Sequence, residues 1–178
     1  MIRRVVTGHQ GETAVFTSDG LAPKGHVFES LPGLGQALAW VTPHNPIVGA
    51  DDFGETVTAR SSYFPEAGGS TLLYMQIPPQ AQLFSGANDP ARIAAEFAEH
   101  APDTAATMDP DNPNMHRTDT IDYVIVLEGE IYLELDAGEE KLLRAHDFVV
   151  QRGTRHAWHN RTDQTVTLAI VLIGATRV

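Results

Sequence analysis

The stretch that decides the fold reads HRTDTIDYVIVLEGE over residues 116–130 and, after a short connection, AHDFVVQRGTRHAWHN over residues 145–160. If this stretch is extended, alternate residues share a face, so that Asp122, Val124 and Val126 point one way and Tyr123, Ile125 and Leu127 the other. The same stretch contains His116, Asp122 and His156, whose side chains are of the types that bind divalent metals. It therefore predicts β-structure and a candidate metal site together.

Outside this stretch, short β-type segments alternate with turn residues along the chain. Glu128-Gly129 and Ala137-Gly138 are turn dipeptides that join successive strands into a meander. Many short strands bounded by Gly, Pro, Asn and Asp indicate an all-β sandwich or barrel. The predicted strands are residues 14–17, 36–41, 56–62, 71–77, 122–127, 131–135, 141–143, 148–151, 155–159 and 165–173.

One segment breaks the β pattern and predicts a short helix at about residues 90–100. An Asn-Asp pair precedes it as a cap, and Pro90 suits the first helical position because its missing N–H is not needed there. Ile93 and Phe97 form an apolar stripe four residues apart, and Pro102 lies just past the end. We expect a structural cap on the barrel; a position at the mouth of a pocket is the alternative.

The composition is that of an ordinary globular protein of 178 residues, with 42% hydrophobic and 20% charged residues. We expect one domain over residues 1–178, with an N-terminal arm over 1–65 and a barrel core over 66–178.

The net charge of -11 argues against nucleic acid and anionic membranes as partners, because both would repel the chain. The absence of cysteine excludes disulfides, thiolate metal sites and a cysteine nucleophile. The sequence shows neither an apolar run near 18 residues nor a signal peptide, so a cytoplasmic protein is expected.

The two candidate ligands His116 and Asp122 cannot share one metal ion on a straight strand. Six residues at roughly 3.3 Å each would separate them by about 20 Å. A metal site therefore requires a bend near residues 117–120, and Thr-Asp-Thr is a suitable sequence for one.

The segment from His116 to Asn160 resembles the cupin superfamily, whose two motifs lie on neighbouring strands of a small barrel. In the first motif, His116 matches the first histidine, Asp122 stands at the glutamate position, and Gly129 follows after six further residues. Thr118 replaces the second histidine. Residues 153–160 match the second motif in full. That motif is a glycine, two further residues, a histidine, three residues and an asparagine.

By this resemblance the metal ligands are His116, Asp122 and His156. Two imidazoles and one carboxylate form the ligand set of non-haem Fe(II) oxygenases, which leaves coordination positions open for substrate and O₂. The same set can hold Zn, Mn or Ni, so the divalent metal is not specified. Asp is one methylene shorter than the usual Glu, and Thr118 can hydrogen-bond or orient a metal-bound water.

Further residues are expected around the substrate pocket. Trp158 shares the face of His156 on an alternating strand and can stack on a planar ligand, although core packing explains it equally well. Arg155 can bind a carboxylate substrate, with a solvated arginine as the alternative. Tyr74 and Gln76 lie on a strand that the resemblance places beside the barrel. His159 is expected on the opposite face from His156, at a surface or an interface.

Two functions remain open at this point. The first is a metal-dependent cupin enzyme that acts on a small organic molecule, with an O₂-dependent oxygenase slightly ahead of a decarboxylase or isomerase. The second is a non-catalytic, metal-free cupin that binds a small molecule. A DNA-binding regulator is excluded because no helix-turn-helix or basic face is present.

The β segments of the N-terminal arm exceed what one small barrel requires. The resemblance implies that such arms pair with a neighbouring subunit, so a homodimer is expected.

Overall fold

The protein is built mainly from antiparallel β-strands, as the sequence predicts. The computed structural model describes residues 2–49, 54–83, 88–112 and 114–178. Its strands are β1 Arg3–Gln10, β2 Thr13–Leu21, β3 Lys24–Val27, β4 Gly35–Thr42, β5 Ser70–Ile77, β6 Thr120–Glu128, β7 Glu130–Glu134, β8 Glu140–Arg144, β9 Phe148–Arg152, β10 Ala157–His159 and β11 Val166–Gly174. Its helices are α1 Gln80–Leu83, α2 Pro90–His100 and α3 Pro102–Thr107, with a 3₁₀ turn at Asp136–Gly138.

Two sheets form the jelly-roll arrangement expected of a double-stranded β-helix. The main sheet has six strands in the order β3-β4-β5-β11-β6-β9, and the second has the order β10-β7-β8. All pairings within these sheets are antiparallel. Strands β1 and β2 form a separate hairpin. Of the predicted arm, β3 and β4 are therefore hydrogen-bonded into the main sheet, and the division at residue 65 stays a prediction.

Strand β6 is extended, so its successive side chains point to opposite faces of the sheet. Asp122, Val124 and Val126 are buried, whereas Tyr123 and Leu127 on the opposite face are exposed. Val124 and Val126 pack in a core cluster with side chains of β7 and β11. A second cluster gathers around Phe28, Leu38, Val57 and Tyr63, against which α2 packs through Ile93 and Phe97. These two clusters flank the candidate site.

The predicted helix is present as α2, and its start follows the predicted chemistry. The Asp89 carboxylate accepts a hydrogen bond from the Ala91 N–H at 2.9 Å, and Pro90 occupies the first helical position. Pro102, which was expected only to follow the helix, instead begins α3. The described residues thus contain two helices, α1 and α3, in addition to the single short helix predicted.

The predicted strand at residues 56–62 is wrong. This segment contains no strand and turns at residues 59–60. The Ser61 hydroxyl accepts from the Thr58 N–H at 2.9 Å, and the Thr58 hydroxyl accepts from the Arg60 N–H at 3.3 Å. The hydroxyl side chains supply local partners for backbone groups that a strand would have paired with a neighbour. Strands β1 and β3 were not predicted.

None of the helices in the described part of the chain is long and apolar enough to cross a membrane.

Candidate metal and substrate site

A cavity of about 120 Å³ lies between the two core clusters. It is bounded by strands of the main sheet, by β10 and by the region of α3. Its walls are mainly apolar, with a few polar and titratable groups among them. The described residues that line it are Gln36, Tyr63, Phe64, Leu73, Tyr74, Met75, Thr104, Met108, His116, Thr118, Asp122, Val124, His156, Trp158, Ile170 and Leu172.

The bend required between His116 and Asp122 is present. Strand β6 begins only at Thr120, and residues 117–119 lie outside any strand. Arg177 holds this bend, because its guanidinium donates to the Asp119 carboxylate at 2.5 Å and to the Thr118 carbonyl at 2.9 Å. The bend separates His116 from the strand that carries Asp122, so the two residues can line the same cavity.

His116 is positioned by His156 through the backbone. The His116 N–H donates to the His156 carbonyl at 2.9 Å, and the His156 N–H donates back at 3.0 Å, which forms an isolated antiparallel bridge. The two imidazole rings have centroids 4.1 Å apart. The edge of Trp158 meets the His156 ring at 5.8 Å between centroids. The predicted histidine pair is thus brought together in one wall of the cavity.

Both histidines are held in the neutral form that binds metals. Burial lowers the pKa of His116 to about 3, and the neighbouring His156 acts in the same direction. Burial also lowers the pKa of His156, against a smaller opposing effect of the Thr154 carbonyl. The Nδ1 atom of His156 donates to that carbonyl at 2.9 Å, since a carbonyl can only accept. The lone pair of His156 is therefore on Nε2, and the ring orientation is fixed as in many metal-binding histidines.

Asp122 brings an unpartnered carboxylate oxygen to the same cavity. Its residue is 5% exposed, and Oδ1 is buried with no hydrogen-bond partner among the described residues. Burial raises the pKa of Asp122 to about 6, although the Thr120 hydroxyl acts in the opposite direction. A buried carboxylate without a partner is unfavourable. A cation bound beside it would remove that cost, so the donor set fits a divalent metal chemically.

The three predicted ligands line one cavity, but their donor atoms are not gathered around one point. Donors bound to a single ion at about 2.1 Å lie within roughly 4.2 Å of one another. Over residues 2–49, 54–83, 88–112 and 114–178, the one group of three such side chains with donor atoms within 4.8 Å is Glu134, Glu140 and His159. Binding of one metal by the predicted set therefore requires a side-chain adjustment.

The group of Glu134, Glu140 and His159 lies outside the cavity and is internally paired. His159 Nε2 is 2.5 Å from the Glu134 carboxylate, and Arg161 donates to Glu140 at 2.5 and 2.9 Å. His159 was expected at a surface or an interface, and within the described chain it is buried, at 9% exposure. The pairing of β10 with β7 puts Tyr132 opposite His159, and Glu134 lies two residues further along the same strand, on the same face.

The predicted pocket residues divide into two sets. Thr118, Trp158 and Tyr74 line the cavity. The Thr118 hydroxyl is 2.7 Å from the Thr120 hydroxyl, so it has a hydrogen-bond partner within the wall. Gln76 and Arg155 do not belong to the described lining of this cavity.

Arg155 instead ties together three segments next to the site. Its guanidinium pairs with Asp109 at 2.5 Å and with Asp136 at 2.8 Å. Asp109 follows α3, and Met108 beside it forms an isolated bridge with His116. Arg155 thus holds the segment beside the cavity, and both of its carboxylate partners belong to the protein.

The glycine and the asparagine of the second motif have structural roles. Gly153 has φ +59° and lies close to the Thr118 carbonyl, so a side chain there would be strained. The Asn160 amide donates to the carbonyls of Ile77 and Gln164 at 2.9 and 2.7 Å. These hydrogen bonds fix the end of β10 against β5, and with it the position of His156.

Several lining residues could not be predicted from the sequence. Gln36 and Tyr63 come from the first 65 residues, and Thr104 and Met108 from the α3 region. No motif marks them, because the order of strands in the main sheet brings them to the cavity. The pairing of β4 with β5 was the missing information.

Parts of the chain are similar to known proteins. Residues 106–173 match the sequence profile of the family described as Cupin domain. A 48-residue stretch is 58% identical to the phomopsin biosynthesis cluster protein C' of Diaporthe leptostromiformis and 52% identical to a cupin-domain-containing oxidoreductase of Hypocrea virens. Each match covers 27% of this chain and 25% of the relative, so the chain matches about a quarter of the length of these proteins. A cupin domain from Bordetella pertussis has 14% identity and a TM-score of 0.37, over 60% of this chain and 82% of that structure.

Proposed function

We propose, from the premise that residues 106–173 are a cupin domain, that this chain binds one divalent metal and acts as an oxidoreductase on a small, mainly apolar organic molecule. The ligands would be His116, Asp122 and His156. O₂ is the proposed oxidant, since two imidazoles and a carboxylate leave positions open for it and for substrate. Similarity to relatives named as cupin-domain-containing oxidoreductases supports the oxidoreductase part of the proposal.

One observation carries the proposal. The buried and unpartnered Oδ1 of Asp122 lines the same cavity as the two adjacent, neutral imidazoles of His116 and His156. The carboxylate and the imidazoles lack a full set of hydrogen-bond partners within the described residues. A divalent cation would bind both kinds of group together. The metal identity among Fe, Mn, Zn and Ni remains part of the proposal.

The surrounding residues would position the ligands and exclude water. The Thr154 carbonyl orients His156 and leaves its Nε2 free to bind. Apolar side chains of β6 and β11, such as Val124 and Leu172, form walls that keep bulk water from the reacting molecule. When bound, the metal would supply coordination of O₂ and of a substrate oxygen.

A second candidate function is a metal-free cupin that binds a small molecule without turnover. Two observations favour it. The donor atoms of the three ligands do not lie within 4.8 Å of one another. Thr118, which replaces the second histidine, has its hydroxyl 2.7 Å from that of Thr120. The homodimer and the cytoplasmic location also stay predictions.

Elemental analysis of the full chain, purified without chelator, distinguishes the two functions. We expect about one equivalent of a divalent metal, and loss of that metal in His116→Ala and His156→Ala. His9→Ala, which changes an exposed histidine of β1, is the matched control and should keep the metal. A wild-type protein that stays below a tenth of an equivalent after dialysis against Fe(II), Mn, Zn or Ni would contradict the first function and support the second.

A further inference from the structure

Two buried polar groups in the cavity wall have no part in the proposed metal site. The amide nitrogen Nε2 of Gln36 and the hydroxyl of Tyr63 are buried and make no hydrogen bond within the described part of the chain. Both residues line the cavity, and Tyr63 is 2% exposed. A buried polar group without a partner is unfavourable, so these two groups indicate a ligand atom that would complete them.

Gln36 and Asp122 lie on well-separated strands of the main sheet. Gln36 is on β4, and Asp122 is on β6, with β5 and β11 between them. Neighbouring strands are about 4.8 Å apart, so three spacings separate β4 from β6 by roughly 14 Å. The two unpartnered polar regions therefore lie toward different sides of one apolar cavity, and a bound molecule would meet both.

The position of Tyr63 is fixed before any ligand binds. The buried hydroxyl of Thr71 donates to the Tyr63 carbonyl at 2.8 Å, and the ammonium of Lys24 lies 4.4 Å from the centre of the Tyr63 ring. Burial raises the pKa of Tyr63 to about 12, while a contact with the Gln36 side chain that falls short of a full hydrogen bond acts in the opposite direction. The phenol is therefore neutral and can donate a hydrogen bond without a reorganisation of the backbone.

The chemistry of the two groups selects the kind of ligand atom. The Gln36 amide nitrogen only donates, and the Tyr63 hydroxyl can donate as well. An oxygen with two lone pairs can accept both hydrogen bonds. No lysine or arginine is found in the described lining of the cavity, and the Lys24 ammonium beside the Tyr63 ring donates instead to the Ser61 carbonyl. A carboxylate bound in the cavity would therefore have no opposite charge in the wall. A neutral carbonyl oxygen meets all of these conditions.

We propose that Gln36 and Tyr63 bind the carbonyl oxygen of an uncharged, otherwise apolar substrate, such as a ketone, aldehyde, ester or amide. The proposal rests on the proposed function, because it names the substrate class of the same site. Apolar walls from Phe64, Leu73 and Ile170 surround the remainder of the molecule. The cavity of about 120 Å³ is somewhat smaller than the roughly 150 Å³ apolar cavity that holds benzene, so one six-membered ring is about the largest body that it takes.

The test compares two probes of nearly the same shape. Acetophenone carries a C=O group where α-methylstyrene carries C=CH₂. Calorimetric titration of the full chain with each probe gives the ratio of the two dissociation constants. A change in the shape or stability of the protein affects the binding of both probes. A change in the ratio between variants therefore reports the hydrogen bonds.

Tyr63→Phe and Gln36→Met should each shift the ratio against acetophenone by about five- to tenfold, the effect of losing one buried hydrogen bond. Tyr123→Phe, which removes a hydroxyl from the exposed face of β6, should leave the ratio within twofold of the wild type. A ratio that stays within twofold in both cavity variants would overturn the proposal. So would a failure of the wild type to bind acetophenone at all.

Repeating the titrations after treatment with a chelator separates this proposal from the metal proposal. Recognition by Gln36 and Tyr63 should persist in the metal-depleted protein, and metal content is measured in the same samples. Selective ketone binding by a wild-type protein that takes up no divalent metal after dialysis would contradict the proposed oxidoreductase and leave the carbonyl site standing. If the ratio of the two dissociation constants changes on removal of the metal but not in Tyr63→Phe, the carbonyl site alone is overturned.

Discussion

His116 and His156 are joined by two backbone hydrogen bonds, of 2.9 and 3.0 Å, and their rings lie 4.1 Å apart. The pairing is made by main-chain atoms, so it does not depend on the side chain at either position. This bridge replaces the continuous strand that would have kept His116 about 20 Å from Asp122. The proposed metal site depends on it.

Asp122→Asn should weaken binding of a divalent metal by more than about tenfold. The change keeps the shape of the side chain and removes the charge that balances the cation, and even residues that only support metal ligands contribute about 10- to 100-fold. Competition with a chelating dye measures the affinity. Asp163→Asn, at an exposed position, is the control. Equal affinity in Asp122→Asn and the wild type would remove Asp122 from the ligand set.

Glu96 should make the stability of the protein depend on acid. Burial tends to raise its pKa, but hydrogen bonds from Ser30, His26 and the Glu29 N–H outweigh that effect and lower the pKa from 4.5 to about 2. Because the pKa is lower in the folded state, this stabilisation is complete above about pH 4.5 and is lost as the pH falls toward 2. The shift corresponds to stabilisation on the order of 3 kcal/mol.

Glu96→Gln should therefore lower the free energy of unfolding in urea by up to about 3 kcal/mol at pH 7. The difference from the wild type should shrink between pH 4.5 and pH 2. Glu99→Gln on the same helix is the control, since its side chain is 76% exposed. A difference that is constant over this pH range would show that the carboxylate charge is not the cause.

Arg155→Gln should loosen the segment that follows α3. The pairs of Arg155 with Asp109 and Asp136 hold this segment beside the cavity. Loss of about 1 kcal/mol of local stability would speed hydrogen exchange at the Asp109 and Arg117 amides by about fivefold. Arg161→Gln, which breaks a different arginine–glutamate pair, should leave these two amides unchanged. Equal exchange in both variants would show that Arg155 does not hold the segment.

The predicted homodimer should have a mass near 39 kDa by light scattering, since one chain has 19.3 kDa. If the N-terminal hairpin forms the interface, Phe16→Asp on β2 should give monomers, because a charge at this 77% exposed position would be buried in the dimer. Phe148→Asp on β9, at a similarly exposed position, should leave the dimer intact. Monomers from Phe148→Asp alone would move the interface to the outer face of the main sheet.

The sequence was most informative where local rules decide the structure. The alternation of side-chain directions on an extended strand placed Asp122 on the buried face of β6, and the Asp89–Pro90 pair identified the start of α2. The bend before Thr120 followed from chain geometry alone, because a straight strand could not bring His116 to Asp122. Each of these features depends on residues close together in the chain.

The remaining features depend on contacts between distant segments. The predicted strand at 56–62 failed because the hydroxyls of Thr58 and Ser61 satisfy the backbone locally. Arg155 looked available for a substrate, but Asp109 reaches it from 46 residues away. Tyr63 and Gln36 carry no motif, and only the order of strands in the main sheet brings them to the cavity.

The strand order also sets the smallest fragment worth expressing. The segment that matches the family profile ends at residue 173, whereas Arg177 supports the bend beside His116. That segment also begins after β5, which pairs with β11 along eight residues from Val166 to Ile173. A fragment trimmed to the family boundaries would expose the edge of β11 and lose the Gln36 and Tyr63 side of the cavity. Transplanting this site into another scaffold therefore requires β4 and β5 as well as the two motifs.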